Sequence, residues 1–416
     1  MSFSSRKPKP VQHIELSDNH RTLRIVLICI LLVIAAVAFT LGLLSLLNGS
    51  SGWQIIQANS GKINCSDDFV FRYNLGQGGS AGSAVVKKIT ALYEEAAEKA
   101  YWLFNSGETS DDMHNVRYLN DHINEVVTVD EVLYRAFAQV EDSGCRYLYL
   151  APVYVEYDNL VLSETDNAAG GRDPAENPEM EAYFAQISEF INSPAAISVE
   201  LLGENKLRLN VSDAYLAFAA ENEIDTFIDF HWMKNAFIID YFADVMTDSG
   251  YTAGYFASND GFTRNLDTSG TEYCFNLFDR EDSEINLAAK MVYNQAVSIV
   301  FFRNYPLNES DRWRYYGYAD GRIVTPYIDP GDGFCKSTVN NLVSYSRALG
   351  CAETVLKAAP VFIADTLRMD SLSALAAEDV YSVWCEGRCV CYNEETLVLS
   401  GLADGTGKPY TSQFRP

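Results

Sequence analysis

The sequence is poor in histidine, and the residues that follow position 50 include only His114, His122 and His231. No Cys-x-x-Cys pair lies near a histidine, so a zinc site built from nitrogen and sulfur ligands is not expected. No serine or cysteine elbow adjoins His231, so nothing beyond composition supports a Ser-His-Asp or Cys-His hydrolase. A Gly-x-Gly-x-x-Gly sequence after a strand is also absent, which removes the ordinary dinucleotide-binding fingerprint.

Basic side chains are also scarce, with 31 Lys and Arg against 56 Asp and Glu and a net charge of −25. The first 24 residues are an exception, because five basic and two acidic side chains give that arm +3 and leave −28 on the rest. A surface of this charge repels nucleic acid and anionic lipid headgroups, so neither is an expected partner of the acidic part. The composition is otherwise that of a globular protein, 48% hydrophobic and 21% charged.

Residues 25–47 contain no charged side chain. A helix of that length spans a hydrocarbon core of about 30 Å. The basic arm before it predicts a cytoplasmic N-terminus and an extracytoplasmic domain after residue 47, and therefore a single-pass protein of the cell membrane. A cleaved signal peptide is the alternative. We favour the uncleaved anchor, because the apolar run exceeds a usual signal sequence and no Ala-x-Ala site precedes Asn48.

Of the nine cysteines, Cys29 lies in the predicted anchor and eight follow it. An even number in an oxidising compartment permits disulfides. If residues 385–391 form one strand, Cys385, Cys389 and Cys391 share a face. A bridge from this group to Cys351, or to another strand, is then a candidate pairing.

The spacing of apolar and turn residues predicts alternating strands and helices after a linker at 48–68. Thr128 and Glu131 form a capping-box pattern. Gly250 suits the position after a helix C-terminus. Residues 158–178 are polar and rich in Gly and Pro, which is typical of a mobile insertion. The predicted strands are 69–75, 197–202, 206–211, 225–229, 251–257, 323–328, 342–346 and 381–392, and the predicted helices are 83–104, 128–141, 233–249 and 351–361.

This order predicts an α/β to α+β fold in one large domain over residues 69–392, followed by a tail at 393–416, although two domains are equally compatible with the composition. Acidic residues fall at the ends of several predicted strands. Carboxylates placed in this way can converge at one sheet edge, where hard oxygen ligands suit Mg²⁺ and a nucleotide phosphate. Taken singly, each acid is equally explained as a helix cap or a solvated loop residue. The acids are Asp229, Asp260, Asp329, Asp332 and Glu353.

The segment Ile328-Asp329-Pro330-Gly331-Asp332-Gly333 has the composition of a tight loop. Pro330 fixes its own backbone, and the two glycines permit positive φ and close approach to a ligand. An ordinary solvated turn would have the same composition.

The order of these motifs resembles that of the FAD:protein FMN transferases, the ApbE family. The family's Leu-Asn motif corresponds to Leu119-Asn120, and its Asp-Leu-Gly-Gly-x-x-Lys-Gly-Tyr-x-x-Asp motif to residues 229–240. Both aspartates match, the glycines do not, and the lysine, Lys234, comes one position early. The Asn-x-Gly-Gly-Asp turn resembles residues 257–261, the His-Ile-Ile-Asp-Pro-x-Thr-Gly loop resembles 326–333, and the Ala-Asp-Ala-Leu-Ser-Thr-Ala helix start falls on 352–358.

The resemblance implies a membrane-anchored protein that binds FAD and transfers FMN to Thr or Ser of an extracytoplasmic acceptor protein with the help of Mg²⁺. It implies that Glu353 contacts the metal. The residues that it assigns to FAD binding are Asp229, Asn259, Asp260, Tyr327 and Asp329.

Several departures from the family's motifs affect the implied metal-binding site. Pro326 replaces the loop histidine, Glu353 replaces the metal-binding aspartate, and Lys357 replaces the metal-binding threonine. A protonated lysine cannot be a metal ligand, so Lys357 would place its ammonium where the family holds the cation. The expected function is therefore FAD binding with weak or absent FMN transfer. The alternative is a non-catalytic surface protein that uses the fold to bind flavin, a nucleotide or a protein partner.

Overall fold

The computed structural model describes residues 52–58, 61–76, 80–402 and 409–416. The predicted anchor at 25–47, with Cys29, lies outside these residues. Within the ranges just given, every helix is too short or too polar to cross a bilayer.

The helices and strands alternate along much of the chain, as the sequence predicts. The helices are α1 (Ser80–Leu103), α2 (Val116–Asp121), α3 (Glu131–Ser143), α4 (Ala151–Val161), α5 (Asp166–Gly170), α6 (Pro178–Ile191), α7 (Asp213–Glu221), α8 (Lys234–Asp248), α9 (Cys351–Phe362) and α10 (Met369–Ala377). The strands are β1 (Trp53–Ile56), β2 (Phe69–Asn74), β3 (Val127–Thr128), β4 (Ile197–Gly203), β5 (Lys206–Val211), β6 (Gly254–Ser258), β7 (Phe262–Asn265), β8 (Tyr273–Glu281), β9 (Glu284–Tyr293), β10 (Val297–Arg303), β11 (Tyr316–Gly317), β12 (Ile323–Val324), β13 (Asn341–Ser346), β14 (Tyr381–Glu386), β15 (Cys389–Tyr392), β16 (Val398–Ser400) and β17 (Thr411–Phe414).

A nine-stranded sheet organises the domain, in the order β1-β2-β6-β7-β10-β13-β14-β15-β17. Its neighbours are antiparallel except for β15 and β17. The central strand β10 is buried on both faces, because Val300 and Phe302 belong to the core beneath the helices, whereas Ile299 and Phe301 belong to a second core on the opposite side. The sheet β16-β9-β8 contributes to that second core. The architecture is thus mixed α and β, with a mainly antiparallel sheet.

Helices α1, α8 and α9 cover the first face of the large sheet. Asp240 on α8 accepts hydrogen bonds from the backbone N–H groups of Cys351 (2.9 Å) and Ala352 (2.8 Å), and so caps the start of α9. Gly350 precedes that start, and a Cβ atom at this position would lie 2.3 Å from Asp240 Oδ2. Asp240, the second aspartate of the motif at 229–240, therefore joins α8 to the start of α9.

Several predicted elements are confirmed. The predicted hairpin of β4 and β5 is present, and α1, α8, α9 and β13 match their predicted positions within a few residues. Gly250 follows α8 with φ of 80°, the left-handed conformation expected of a residue after a helix C-terminus. Helix α3 begins as expected, but Asp130 rather than Thr128 caps it, by accepting a hydrogen bond from the N–H of Val132.

The strand predicted at 225–229 is wrong, although the segment is apolar. Its backbone is paired with a side chain: Asn120 Oδ1 accepts from the N–H groups of Phe227 (2.8 Å) and Ile228 (3.1 Å), and Asn120 Nδ2 donates to the carbonyl of Ile228 (3.0 Å). These bonds satisfy buried backbone groups that a neighbouring strand would otherwise satisfy. Asn120 thus takes the place of a neighbouring strand as the hydrogen-bond partner of residues 227 and 228.

The mobile insertion predicted at 158–178 is instead folded. It contains the end of α4 and all of α5, and Leu160 and Ala169 are buried. The hydroxyl of Tyr316 donates to Asp166 (3.0 Å) and that of Tyr318 donates to Asp173 (2.9 Å). The acids that made the segment appear solvated are hydrogen-bond acceptors for tyrosines elsewhere in the chain.

The segments predicted as linker and tail also contribute strands. The sheet begins with β1, within the predicted linker, and ends with β17, within the predicted tail. The strand predicted at 323–328 is confined to β12, and only an isolated bridge joins Ile328 to Cys335.

The strand predicted at 381–392 is a hairpin, because β14 and β15 turn at Gly387, whose φ is 56°. Trp384 therefore pairs with Cys391, and Cys385 pairs with Val390. Cys385 belongs to the second core, so it does not share a face with Cys391. The predicted bridge to Cys351 is absent, and each of the eight cysteines that the structure describes has a free thiol.

Candidate functional site

A cavity of about 500 Å³ opens beside the start of α8 on the helical side of the sheet. That volume is within the range of small-molecule sites in proteins. Its aromatic lining comes from Tyr101, Phe104, Tyr157, Trp232 and Trp313, and its charged lining from Asp67, Asp68, Asp158, Asp229, Asp260, Lys234 and Arg314. Apolar ring faces and convergent polar groups are the usual composition of a ligand site.

Asp229 is held at the cavity by bonds to both of its carboxylate oxygens. Ser106 Oγ donates to Oδ2 (2.9 Å), and the backbone N–H of His231 donates to Oδ1 (2.8 Å). The backbone N–H of Asp229 donates to the carbonyl of Leu148 (2.9 Å). Because Asn120 fixes the two residues before it, Asp229 has a defined position although it does not end a strand.

His231 lies at the cavity with φ of 41°, in the left-handed region that non-glycine residues rarely adopt. Strained backbone of this kind clusters at functional sites. The imidazole stacks on Tyr154 with ring centroids 4.1 Å apart, and Nε2 lies 3.1 Å from Asp158 Oδ1. A carboxylate only accepts hydrogen bonds, so Nε2 is the donor, and Nδ1, which is an acceptor in the neutral imidazole, is buried without a partner among the described groups.

Asp260 occupies the tight turn between β6 and β7. Its carboxylate accepts hydrogen bonds from Ser258 Oγ and from Asn235 Nδ2, the latter at 2.9 Å. Asn235 Oδ1 is then left buried without a partner in the described structure. Gly261 completes the turn with φ of 110°, and a Cβ there would lie 2.5 Å from the carbonyl oxygen of Phe301. The turn therefore requires glycine, which fixes Asp260 against α8.

Two basic side chains enter this acidic cavity. Among the described residues, neither Lys234 nor Arg314 has an ion-pair partner, and the guanidinium of Arg314 lies over the ring of Trp313. Burial raises the pKa of Asp68, Asp260 raises it further, and Lys234 and Arg314 oppose the rise. These four charged groups therefore influence one another across the cavity.

The residues that the resemblance assigns to FAD are only partly brought together. Asp229 and Asp260 line the cavity, and Tyr327 lines an adjoining pocket of about 40 Å³ that shares Asp260 with it. Asn259 does not line the cavity; its side chain donates to the carbonyl of Asp67 (3.2 Å).

Asp329 and Glu353 also lie outside the cavity lining. Asp329 Oδ1 accepts from the N–H of Gly331 (2.8 Å), and Oδ2 pairs with Lys336 Nζ (2.8 Å), which also contacts Asp332 (2.6 Å). Lys336 thus pairs with both carboxylates of the Asp-Pro-Gly loop. Glu353 lies in the first turn of α9. Of the four acids expected to converge, the cavity lining therefore includes Asp229 and Asp260 and not these two.

The implied Mg²⁺ does not fit the donors present. In the part of the chain that the structure describes, no three His, Cys, Asp or Glu side chains are close enough together to hold a metal ion. Hydrogen bonds already engage the carboxylates of Asp229 and Asp260. The ammonium of Lys357 pairs with Glu378 and does not line the cavity, so it does not take the place of the cation there.

Sequence reasoning missed several cavity residues. Asp67 and Asp68 precede β2 in a stretch interpreted as linker, Ser106 follows α1, and Arg314 belongs to the 3₁₀ turn at Glu309–Arg314. None of these belongs to a motif with characteristic spacing. The Asp67-Asp68 pair directly before a strand was the one local signal available.

Comparison with solved structures gives the same fold. The chain resembles the ApbE protein of Thermotoga maritima, with a TM-score of 0.53 and 12% identity over 76% of this chain and 90% of that one. It resembles the flavin transferase ApbE of Vibrio cholerae with a TM-score of 0.50 and 11% identity over 85% of this chain and 98% of that one. No protein-family model and no curated protein sequence matches the chain. The protein therefore has a remote ApbE-like fold.

Proposed function

We propose that this protein binds a flavin in the cavity beside α8, and that metal-assisted transfer of FMN to a protein acceptor is weak or absent. The observation that carries the proposal is the lining of the cavity, in which aromatic side chains lie beside carboxylates that are hydrogen-bonded to the protein. The described residues form no group of ligands that could hold a metal ion. With the anchor predicted at 25–47, the binding site would lie outside the cytoplasmic membrane.

The fit to a flavin ring rests on two features. Tyr101, Phe104 and Trp232 supply the apolar surfaces that a planar ring system needs. Asn235 and His231 line the cavity, and each has a buried atom, Oδ1 and Nδ1, without a partner among the described groups; a flavin carries both N–H and hydroxyl donors. When bound, the flavin would supply redox chemistry or colour; the chain itself binds and orients it.

The weakness of transfer follows from the charges. Attack on the FAD pyrophosphate develops negative charge, and stabilising that charge is usually a large part of catalysis. The implied metal ligand Glu353 lies away from the cavity. The carboxylates of Asp229 and Asp260 each accept two hydrogen bonds from the protein, and these bonds fix their positions at the cavity.

Titration of the purified chain with flavins, followed by flavin fluorescence, tests binding. We expect Trp313→Ala to weaken binding about tenfold, since the stacking of one ring on an aromatic side chain contributes about 1–3 kcal/mol. Trp53→Ala is the matched control, because Trp53 is another exposed tryptophan that does not line the cavity. Absence of flavin binding at micromolar protein would reject the proposal. Rapid Mg²⁺-dependent release of AMP from FAD would instead identify a working transferase.

A further inference from the structure

The charge of the cavity is unusual for a site that would hold a phosphorylated ligand. Five carboxylates line it against two basic side chains, a net charge of −3 if all are ionised. The acids come from four separate parts of the fold: the turn before β2, the last turns of α4, the segment before α8 and the turn between β6 and β7. The excess is therefore a property of the assembled site rather than of one acidic stretch of sequence.

The two basic side chains lie within electrostatic reach of acids, and neither forms an ion pair among the described residues. Lys234 and Arg314 both act on Asp68, and Asp260 lies within electrostatic reach of the same carboxylate. Asp67 is exposed and lines the cavity, and the side chain of Asp158 is 60% exposed and lies beside His231. These two acids, with Asp229, account for the uncompensated charge. The negative charge of these acids would repel a phosphate in the cavity.

Carboxylates do, however, accept hydrogen bonds well, and each offers about four acceptor positions. The ligand that suits this lining has a flat ring for the aromatic walls, hydroxyl or N–H donors for the acids, and no phosphate. A flavin with an unphosphorylated ribityl chain meets all three requirements. FMN and FAD share the ring but add negative charge.

We propose that the cavity selects the phosphate-free flavin, riboflavin, over FMN and FAD. The inference rests on the proposed function, since it names which flavin the same site takes. It differs from what the resemblance implies, because the resemblance calls for a pyrophosphate and a divalent cation.

The test is an equilibrium titration of the full-length chain in neutral detergent with riboflavin, FMN and FAD, in EDTA and at low salt. We expect riboflavin to bind at least tenfold more tightly than FAD or FMN. Added NaCl screens repulsion between like charges, so the affinity for FAD should rise with salt while that for riboflavin stays constant.

Charge variants provide a second, independent measurement. Asp67→Asn with Asp158→Asn reduces the excess charge, and we expect it to narrow the preference for riboflavin over FAD by about an order of magnitude. Asp142→Asn removes an exposed carboxylate that does not line the cavity, and it should leave the preference unchanged. Thermal unfolding of each variant confirms that it is folded.

The outcomes separate the two proposals. FAD binding more tightly than riboflavin in EDTA, or only with Mg²⁺, would overturn the selectivity while retaining a flavin site. An unchanged preference in the double variant would overturn its electrostatic origin. If none of the three flavins binds, the proposed function fails and the selectivity fails with it.

Discussion

The ionisation of Asp240 should make the stability of the domain depend on pH in a direction that is unusual for an aspartate. Its carboxylate accepts two N–H groups at the start of α9, and Arg264 Nε lies 3.9 Å away. Burial nevertheless outweighs these contacts and raises the pKa of Asp240 from 3.8 to about 6. Replacing it with asparagine keeps the shape and removes the titration.

The folded protein retains the Asp240 proton up to about pH 6, whereas the unfolded chain loses it near pH 3.8. The folded state therefore binds more protons between these values, and the contribution of Asp240 to stability falls as pH rises through this window. The shift corresponds to about 3 kcal/mol in total. Because the side chain is still 19% exposed, this figure is an upper bound.

Urea unfolding of wild type and Asp240→Asn at pH 5 and pH 8 measures the effect, away from the pI near 4.5. About half of the stability that wild type loses through the raised pKa of Asp240 is lost above pH 5. The free energy of unfolding of the variant should therefore rise by about 1 kcal/mol relative to that of wild type between the two pH values. Asp248→Asn, an exposed acid at the end of the same helix, is the control. Parallel curves for wild type and Asp240→Asn would refute the argument, and so would a relative loss of stability by the variant.

Three further outcomes follow from the same structure. Gly350→Ala should lower the free energy of unfolding by about 2 kcal/mol, because the new Cβ would lie 2.3 Å from Asp240 Oδ2; urea denaturation measures it. Lys336→Met should cost about 1–2 kcal/mol in the same assay, since it leaves the carboxylates of the Asp-Pro-Gly loop facing one another. Glu353→Asp with Lys357→Thr should restore no Mg²⁺-dependent AMP release from FAD, because neither residue lines the cavity; a clear gain would place the metal seat at α9.

Periodicity predicted the elements in which one face is buried in a core and the other is not. Helix α8 and the β4–β5 hairpin show the expected spacing of 3.6 and of 2 residues, and both occur where predicted. The strand predicted at 225–229 failed because of a contact that is distant in sequence. The segment at 225–229 is apolar like a strand, but Asn120 supplies its hydrogen bonds, and no local pattern reveals a partner more than 100 residues away.

The cavity was less predictable than the fold. Its lining comes from residues separated widely in sequence, such as Asp68, Ser106, Asp229 and Arg314, and their proximity follows from the antiparallel sheet and the placement of α1 and α8. A sequence that predicts acids at strand ends does not specify which ends meet. Asp329 illustrates this limit, because Lys336 and the Gly331 amide engage its carboxylate within its own loop.

The motif residues that this chain shares with the ApbE family hold backbone in place. Asn120 supports residues 227 and 228, Asp229 binds Ser106 and the strained His231 amide, and Asp240 caps α9. The departures at Pro326 and Lys357 fall at positions to which the resemblance assigns ligand or metal contacts. The surviving motif is therefore evidence about architecture, and the charge of the cavity is the better guide to its ligand.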